Sequence, residues 1–432
     1  MIEIRKAKLA VIGLGFVGLP LSVTLAEKGF HVYGIDVDKN KVSALNNMTS
    51  YIDDISHSRV RNVIKENLFY PTVDFDVIKD ADAIIVCVPT PLTSYKTPDL
   101  TYVINAGMEI SKRLKRNQLV VLESSTFPGT TKEILLPILE KKSLKAGEDF
   151  FLAYSPERID PGNKAYDMSK IPKVIGGVTE NCKDAAYHLY SEIYDHVVPV
   201  SSTEAAELTK LLENIYRFIN ISFINEMAVL SDQLKVNIWE VIDAAATKPY
   251  GFSPFYPGPG IGGHCIPVDP LYLQWKLQQY EESSDFIKLS DSMNERMVQY
   301  IVNRTKDLLL HSKNFTSSNI LLYGVTYKKD VADTRDSTAV EILEKFKKEG
   351  ASISYHDPFV PELKVGDQLF KSVELDEMLK HRIDCVVILT DHSQIPLNLL
   401  IEHADIVFDT RNVTKDIIDR SKIVRLGGGE NL

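Results

Sequence analysis

Short runs of β-branched and aliphatic residues recur along the first part of the chain, at 9–12, 32–35, 83–88, 119–123, 151–154 and 197–200. Between them, stretches such as 16–28 and 102–113 carry apolar residues at helical spacing. Strand-sized and helix-sized patterns in alternation predict parallel βαβ units, and with them an open α/β domain over residues 1–200. The pattern then changes. TEAAELTKLLENIYRFINISFINEMAVLSDQLK, starting at residue 203, holds no glycine or proline and keeps a helical apolar spacing, which predicts one long connecting helix. A proline- and glycine-rich loop at 248–270 interrupts the helical pattern, and a loop of that length inside a globular chain is usually functional. Helix resumes to about residue 310. From 313 the α/β alternation returns, with strands expected at 320–325, 352–355, 385–389 and 406–408. The expected fold class is α/β: two doubly wound domains, 1–200 and 313–432, joined by a central helical domain, 201–312.

Size and charge narrow the choice of partners. A chain of 432 residues has room for several cores, and 44% hydrophobic with 25% charged residues is the composition of a soluble globular protein. The net charge of −10 argues against nucleic acid and against an anionic membrane surface as partners. An anionic ligand therefore needs local basic residues. Cys87, Cys182, Cys265 and Cys385 lie far apart with no C-x-x-C pair, which fits a reducing, cytoplasmic setting better than a disulfide framework or a metal site. Arg5, Lys6 and Lys8 ahead of the uncharged stretch 9–26 imitate a secretory leader, but Gly13, Gly15 and Gly18 break its apolar run and a second strand pattern follows.

Those glycines form G-x-G-x-x-G between a strand and a helix. The first permits a tight turn, the second lets backbone approach a pyrophosphate, and the third lets the helix pack on the strand, with phosphate at the helix N-terminus. Asp36 ends the next strand, where an acid bonds the adenosine ribose hydroxyls. A carboxylate there repels a 2′-phosphate, so the expected cofactor is NAD rather than NADP, with Lys41 nearby acting in the other direction. The first domain thus reads as Rossmann-like. The third segment lacks the glycine pattern and need not bind a dinucleotide.

Cys265 stands apart from the other cysteines. Cys87 and Cys385 sit inside apolar strands and Cys182 has no motif around it, whereas Cys265 ends the loop GPGIGGHCIPVD beside His264 and Asp269. A helix N-terminus after Pro267 would lower the thiol pKa and supply thiolate. Adjacent His264 and Cys265 make a poor metal pair. On the long helix, Lys210 and Asn214 lie one turn apart and so face one point, where a cation and an amide donor can stabilise an oxyanion; a solvated stripe with Glu207 and Glu213 is the other reading of the same residues.

Taken together and in this order, VIGLGFVGLP, SSTFPGTT, YSPERIDPG, ELTKLLENIYRFINISFINE, GPGIGGHCIPVDP and YKKDVADTRDS resemble the UDP-glucose/GDP-mannose dehydrogenase family over essentially the whole chain. The resemblance implies a two-step, four-electron oxidation of a UDP-sugar C6 alcohol with NAD, through a thiohemiacetal and a thioester on Cys265, with Lys210 and Asn214 at the oxyanion. It implies that Thr126 and Glu157 hold the water used in proton transfers and that Asp269 assists deprotonation or hydrolysis. By the same matching, Phe16, Val17, Lys41, Pro89, Thr90, Thr126 and Arg335 join the glycines and Asp36 at NAD. Glu157, Arg158, Lys210, Asn214, Tyr256, Gly260, Gly262, Lys328 and Arg411 contact the UDP-sugar, with Lys328 and Arg411 at its UDP part. The second α/β domain becomes the UDP-sugar-binding one, a homodimer forms through the central helices, and the product feeds a surface polysaccharide.

Two positions depart from the UDP-glucose enzymes of the family. Pro161 replaces their second acid, and TKPYGFSPFYPG replaces the loop in which they carry an inter-subunit arginine. These segments resemble the subgroup acting on UDP-N-acetylhexosamines, which implies UDP-N-acetylglucosamine as substrate and UDP-N-acetylglucosaminuronate as product. UDP-N-acetylmannosamine and UDP-glucose are the alternatives within the family. Outside it stand a β-hydroxyacid dehydrogenase, which would need neither Cys265 nor a third domain, and a non-catalytic nucleotide-sugar-binding sensor.

Overall fold

The computed structural model describes residues 7–52, 55–158, 168–263, 266–310, 314–378 and 380–430. They fall into two units, Met1–Glu213 with Leu271–Glu282, and Asn214–Pro270 with Ser283–Leu432. Cys265, His264 and Pro161 lie outside the described residues.

In the first unit the apolar runs become eight strands: β1 (Lys8–Ile12), β2 (His31–Ile35), β3 (Phe69–Thr72), β4 (Ala83–Val86), β5 (Leu119–Leu122), β6 (Phe151–Tyr154), β7 (Lys173–Gly177) and β8 (Val197–Pro199). They form one sheet in the order β3-β2-β1-β4-β5-β6-β7-β8. All pairs are parallel except β6 with β7. The alternation of side chains shows why the runs are unbroken. Leu9 and Val11 enter one core with Ile85 and Val121, while Ala10 and Ile12 enter another with Ile84 and Val120. Both faces are covered, so neither can be polar.

In this unit two strands escaped the sequence pattern. β3, FYPT, is an edge strand with an exposed Tyr70 and a proline tolerated only because it has no partner on one side. β7, KVIGG, begins with a buried lysine and ends in two glycines, which hides its strand character.

In the second unit the sheet is β9 (Asn319–Tyr323), β10 (Ser352–His356), β13 (Ile383–Ile388), β14 (Ala404–Asp409) and β15 (Ile423–Arg425), ordered β10-β9-β13-β14-β15 and parallel throughout; β11 (Glu362–Val365) and β12 (Gln368–Lys371) form a separate hairpin. The sheet again has two cores. Ile320, Leu322, Cys385 and Val387 face one that also takes in Ile224, Trp239, Met297 and Ile301 from the helical segment. Leu321, Tyr323, Val386 and Ile388 face the other with Leu400 and Ile423. The helical segment and the C-terminal sheet therefore share one core.

The long helix runs Thr203–Leu234 and the last helix of the helical segment Asp285–Leu310. No helix among the described residues is long and apolar enough to cross a membrane.

Candidate active site

In the first unit the sheet order reverses between β1 and β4, and loops at the carboxyl ends of strands flanking such a point form the ligand crevice of doubly wound folds. The turn after β1 carries the three glycines, and each is explained differently. Gly13 has φ +93°, and a Cβ there would meet the Cys87 carbonyl oxygen at 2.7 Å. A Cβ on Gly18 would lie 1.8 Å from the Gly13 oxygen. Around Gly15 no atom comes within 4 Å of a Cβ, which leaves that side of the turn open to a ligand. The helix Gly18–Glu27 then starts on Val17 with no side-chain cap and no acid in its first turn, which leaves its N-terminal dipole uncompensated and suited to an anion.

Asp36, directly after β2, is buried; its carboxylate accepts from Leu14 N at 2.9 Å and Asp38 N at 2.9 Å, with Lys41 Nζ at 3.4 Å. The acid is thereby anchored to the glycine turn itself. Phe16 is exposed and Thr90 buried, the latter accepting from the Tyr272 hydroxyl through its carbonyl at 2.5 Å. Pro89, next to it after β4, is exposed. Residues and turn fit a dinucleotide.

Thr126 follows β5 and Glu157 follows β6, at the same edge of the sheet. Thr126 is buried and its Oγ1 is hydrogen-bonded to Thr130 Oγ1 at 2.5 Å. Glu157 Oε1 accepts from Arg158 N at 2.7 Å and Oε2 from Lys173 Nζ at 3.1 Å. Arg158 itself pairs with Glu213 on the long helix at 2.7 Å.

Glu207, on that same helix one turn before Lys210, is not part of a solvated stripe. It is fully buried and accepts from Gly129 N (2.6 Å), Thr131 N (2.9 Å) and Thr131 Oγ1 (2.7 Å), closing the turn that follows Thr126. Burial pushes its pKa up to about 7, against those hydrogen bonds.

In the second unit Asn214 is buried and donates from Nδ2 to Asp269 Oδ2 at 2.5 Å, joining two of the expected catalytic residues. Asp269 opens the helix Asp269–Gln278. The glycines of the preceding loop lie against the segment that follows β9: a Cβ on Gly260 would meet Thr338 Cγ2 at 2.8 Å, and one on Gly262 the Asp336 oxygen at 2.8 Å. Asn294, which no sequence motif marked, pins the loop through both backbone groups of one residue, accepting from Ile261 N (2.6 Å) and donating to Ile261 O (3.0 Å).

Lys328 lies on the segment after β9 and Arg411 after β14, again beyond carboxyl strand ends. The Arg411 Nε donates to Leu389 O at 2.9 Å, its guanidinium is held close to Gly258, and burial lowers its pKa. Arg335 is exposed and engaged by Asp333 at 2.7 Å. Tyr256 stacks on Trp239 and donates to Asp243 at 3.0 Å. Among the described residues no group of three or more His, Cys, Asp or Glu could hold a metal ion.

The glycine turn, the ribose-side acid and the doubly wound sheet define a dinucleotide-binding protein. Three descriptions of the UDP-glucose/GDP-mannose dehydrogenase family match in succession: its NAD binding domain over residues 7–197, its central domain over 204–296 and its UDP binding domain over 321–416. A UDP-N-acetyl-D-glucosamine 6-dehydrogenase of Pseudomonas aeruginosa is 35% identical over 359 residues, covering 82% of this chain and 84% of the relative. A UDP-N-acetyl-D-mannosamine dehydrogenase of Methanococcus maripaludis is 32% identical, covering 98% and 97%. The solved UDP-D-ManNAc dehydrogenase of Pyrococcus horikoshii superposes with a TM-score of 0.89 at 29% identity, covering 98% of this chain and all of the other. The chain belongs to the UDP-glucose/GDP-mannose dehydrogenase family and is an NAD-dependent UDP-sugar dehydrogenase.

Proposed function

We propose that the protein oxidises the C6 alcohol of UDP-N-acetylglucosamine to the carboxylate. The observation that carries the catalytic part is the Asn214–Asp269 hydrogen bond, which holds an amide of the long helix against the acid four residues beyond Cys265. NAD, when bound, accepts a hydride, and the full oxidation needs two such transfers. Cys265 captures the aldehyde carbon as a thiohemiacetal; loss of two electrons leaves a thioester, and water releases the acid and regenerates the thiol. Lys210 and Asn214 donate to the oxyanion formed at each addition. Glu157 and Thr126 hold the water, and Asp269 takes a proton near the thiol.

Gly13, Gly15, Phe16, Val17, Gly18, Asp36, Lys41, Pro89, Thr90 and Arg335 are the cofactor contacts of this reading. Arg158, Tyr256, Gly260, Gly262, Lys328 and Arg411 are its sugar-nucleotide contacts, and residues 1–200, 201–312 and 313–432 its cofactor, central and UDP-sugar segments. A homodimer in the cytoplasm completes it. Leu212, Phe223, Leu230 and Leu234 are exposed apolar residues along the long helix, which supports burial of that helix against a second copy.

UDP-N-acetylmannosamine is the second reading, favoured by the relatives from Methanococcus and Pyrococcus. Purified protein with excess NAD and limiting sugar nucleotide decides. Two NADH per UDP-N-acetylglucosamine, with slower turnover of UDP-N-acetylmannosamine and UDP-glucose, is the expected result. Two NADH from another sugar alone overturns the substrate, and one NADH per sugar overturns the role of Cys265.

A further inference from the structure

A lysine buried in the first unit faces two carboxylates. Lys173, the first residue of β7, is 2% exposed, and its Nζ lies 2.8 Å from Glu123 Oε2 and 3.1 Å from Glu157 Oε2. Glu123, directly after β5, is also 2% exposed, and its Oε1 accepts from the Tyr190 hydroxyl. The rings of Tyr190 and Tyr194 cover the ammonium at 5.5 and 5.3 Å. The buried Cys87 thiol and the Arg158 backbone N–H, which donates to Glu157 Oε1, also lie at the cluster.

Burial works against the charge on Lys173, yet Glu123 and Glu157 hold its pKa well above the ordinary value; burial raises that of Glu123, and Lys173 opposes the rise. One cation therefore serves two acids. Glu123 has no access to solvent, so its interest is structural; Glu157 is the partly exposed one, at the strand edge where the cofactor turn and Thr126 also end.

We propose that Lys173 is a positioning residue that keeps Glu157 ionised and oriented toward the water it handles, with Glu123 as the buried acid that anchors Lys173. The proposal rests on the role given to Glu157 above. Without the cation, Glu157 loses the opposite charge at 3.1 Å that favours its carboxylate over its acid form. Turnover that requires the Glu157 carboxylate is then lost at higher pH than in the wild type.

The test is the kcat–pH profile at saturating NAD and UDP-sugar, using whichever of UDP-N-acetylglucosamine, UDP-N-acetylmannosamine and UDP-glucose turns over fastest. Lys173→Met should move the acid limb up by about one pH unit, a roughly tenfold fall in kcat on that limb, while Lys173→Arg should leave the limb in place. Removing a buried cation alone can prevent folding, so the same comparison is made in a Glu123→Gln background, where neutral side chains replace the whole ion pair. There too Lys173→Met should raise the limb relative to Glu123→Gln alone. Coincident limbs in that pair, with kcat lowered evenly across pH, would mean that Lys173 only braces the fold and would overturn the proposal. Glu157→Gln separates the two possible failures: wild-type turnover removes Glu157 from the chemistry, and with it the basis of the proposal, whereas lost turnover with an unmoved limb overturns the part played by Lys173 alone.

Discussion

Gly15 and Gly18 stand three residues apart in one turn, and the structure assigns them opposite sensitivities. At Gly18 an added methyl would sit 1.8 Å from the Gly13 carbonyl oxygen and 3.0 Å from its carbon. Both are backbone atoms, and Gly13 is already held at φ +93° between Gly18 and the Cys87 carbonyl, so no side chain can swing away to make room. Overpacking typically costs about 1–3 kcal/mol, and contact with fixed backbone places Gly18→Ala near about 3 kcal/mol on that scale. For a unit of this size that is a fall in Tm of about 6–12 °C. At Gly15 the methyl meets nothing within 4 Å and the backbone has no positive φ, so the stability of Gly15→Ala should stay within about 0.5 kcal/mol of wild type. The methyl instead fills the opening where a pyrophosphate approaches, and NAD should bind at least about tenfold more weakly, about 1.4 kcal/mol. Circular dichroism melts of the NAD-free protein and calorimetric titration with NAD separate the two quantities. Equal losses of Tm in the two variants, or wild-type NAD affinity in Gly15→Ala, would refute the assignment of Gly15 to the ligand side of the turn.

Two further outcomes follow from the buried ionisable groups. Glu207 has a folded pKa of about 7 against 4.5 for an ordinary glutamate, so the folded state binds the proton more tightly and stability falls as pH rises between those values, by about 3 kcal/mol in total. Wild type should lose Tm relative to Glu207→Gln from pH 5 to pH 8; a difference independent of pH would contradict the raised pKa. Cys87, Cys182 and Cys385 are buried, and burial raises the pKa of Cys87 and Cys385. A thiol reagent on the native protein should therefore report Cys265 alone, and Cys265→Ser should react only on unfolding; fast labelling of that variant under native conditions would show one of the other three to be accessible.

Periodicity determined much of this protein without help from contacts. Parallel strands covered on both faces are apolar at most positions, which is why β1, β4, β5, β9 and β13 were legible as runs, and the absence of glycine and proline marked the long helix almost to the residue. The cofactor turn was equally legible, because each of its glycines answers a local demand of backbone geometry. Where a residue's task depends on what packs against it from far along the chain, the sequence was silent. β3 and β7 carry proline, lysine and glycine that local propensity counts against a strand, and only their sheet neighbours make them strands. Glu207 looks like any acid on a helix surface until the turn at 129–131 is folded onto it. Lys173 opens β7 and Glu123 follows β5, fifty residues apart, and nothing but the sheet order brings the ammonium between Glu123 and Glu157. Charge burial is a property of three-dimensional neighbours, and a one-dimensional pattern records the charge without its surroundings.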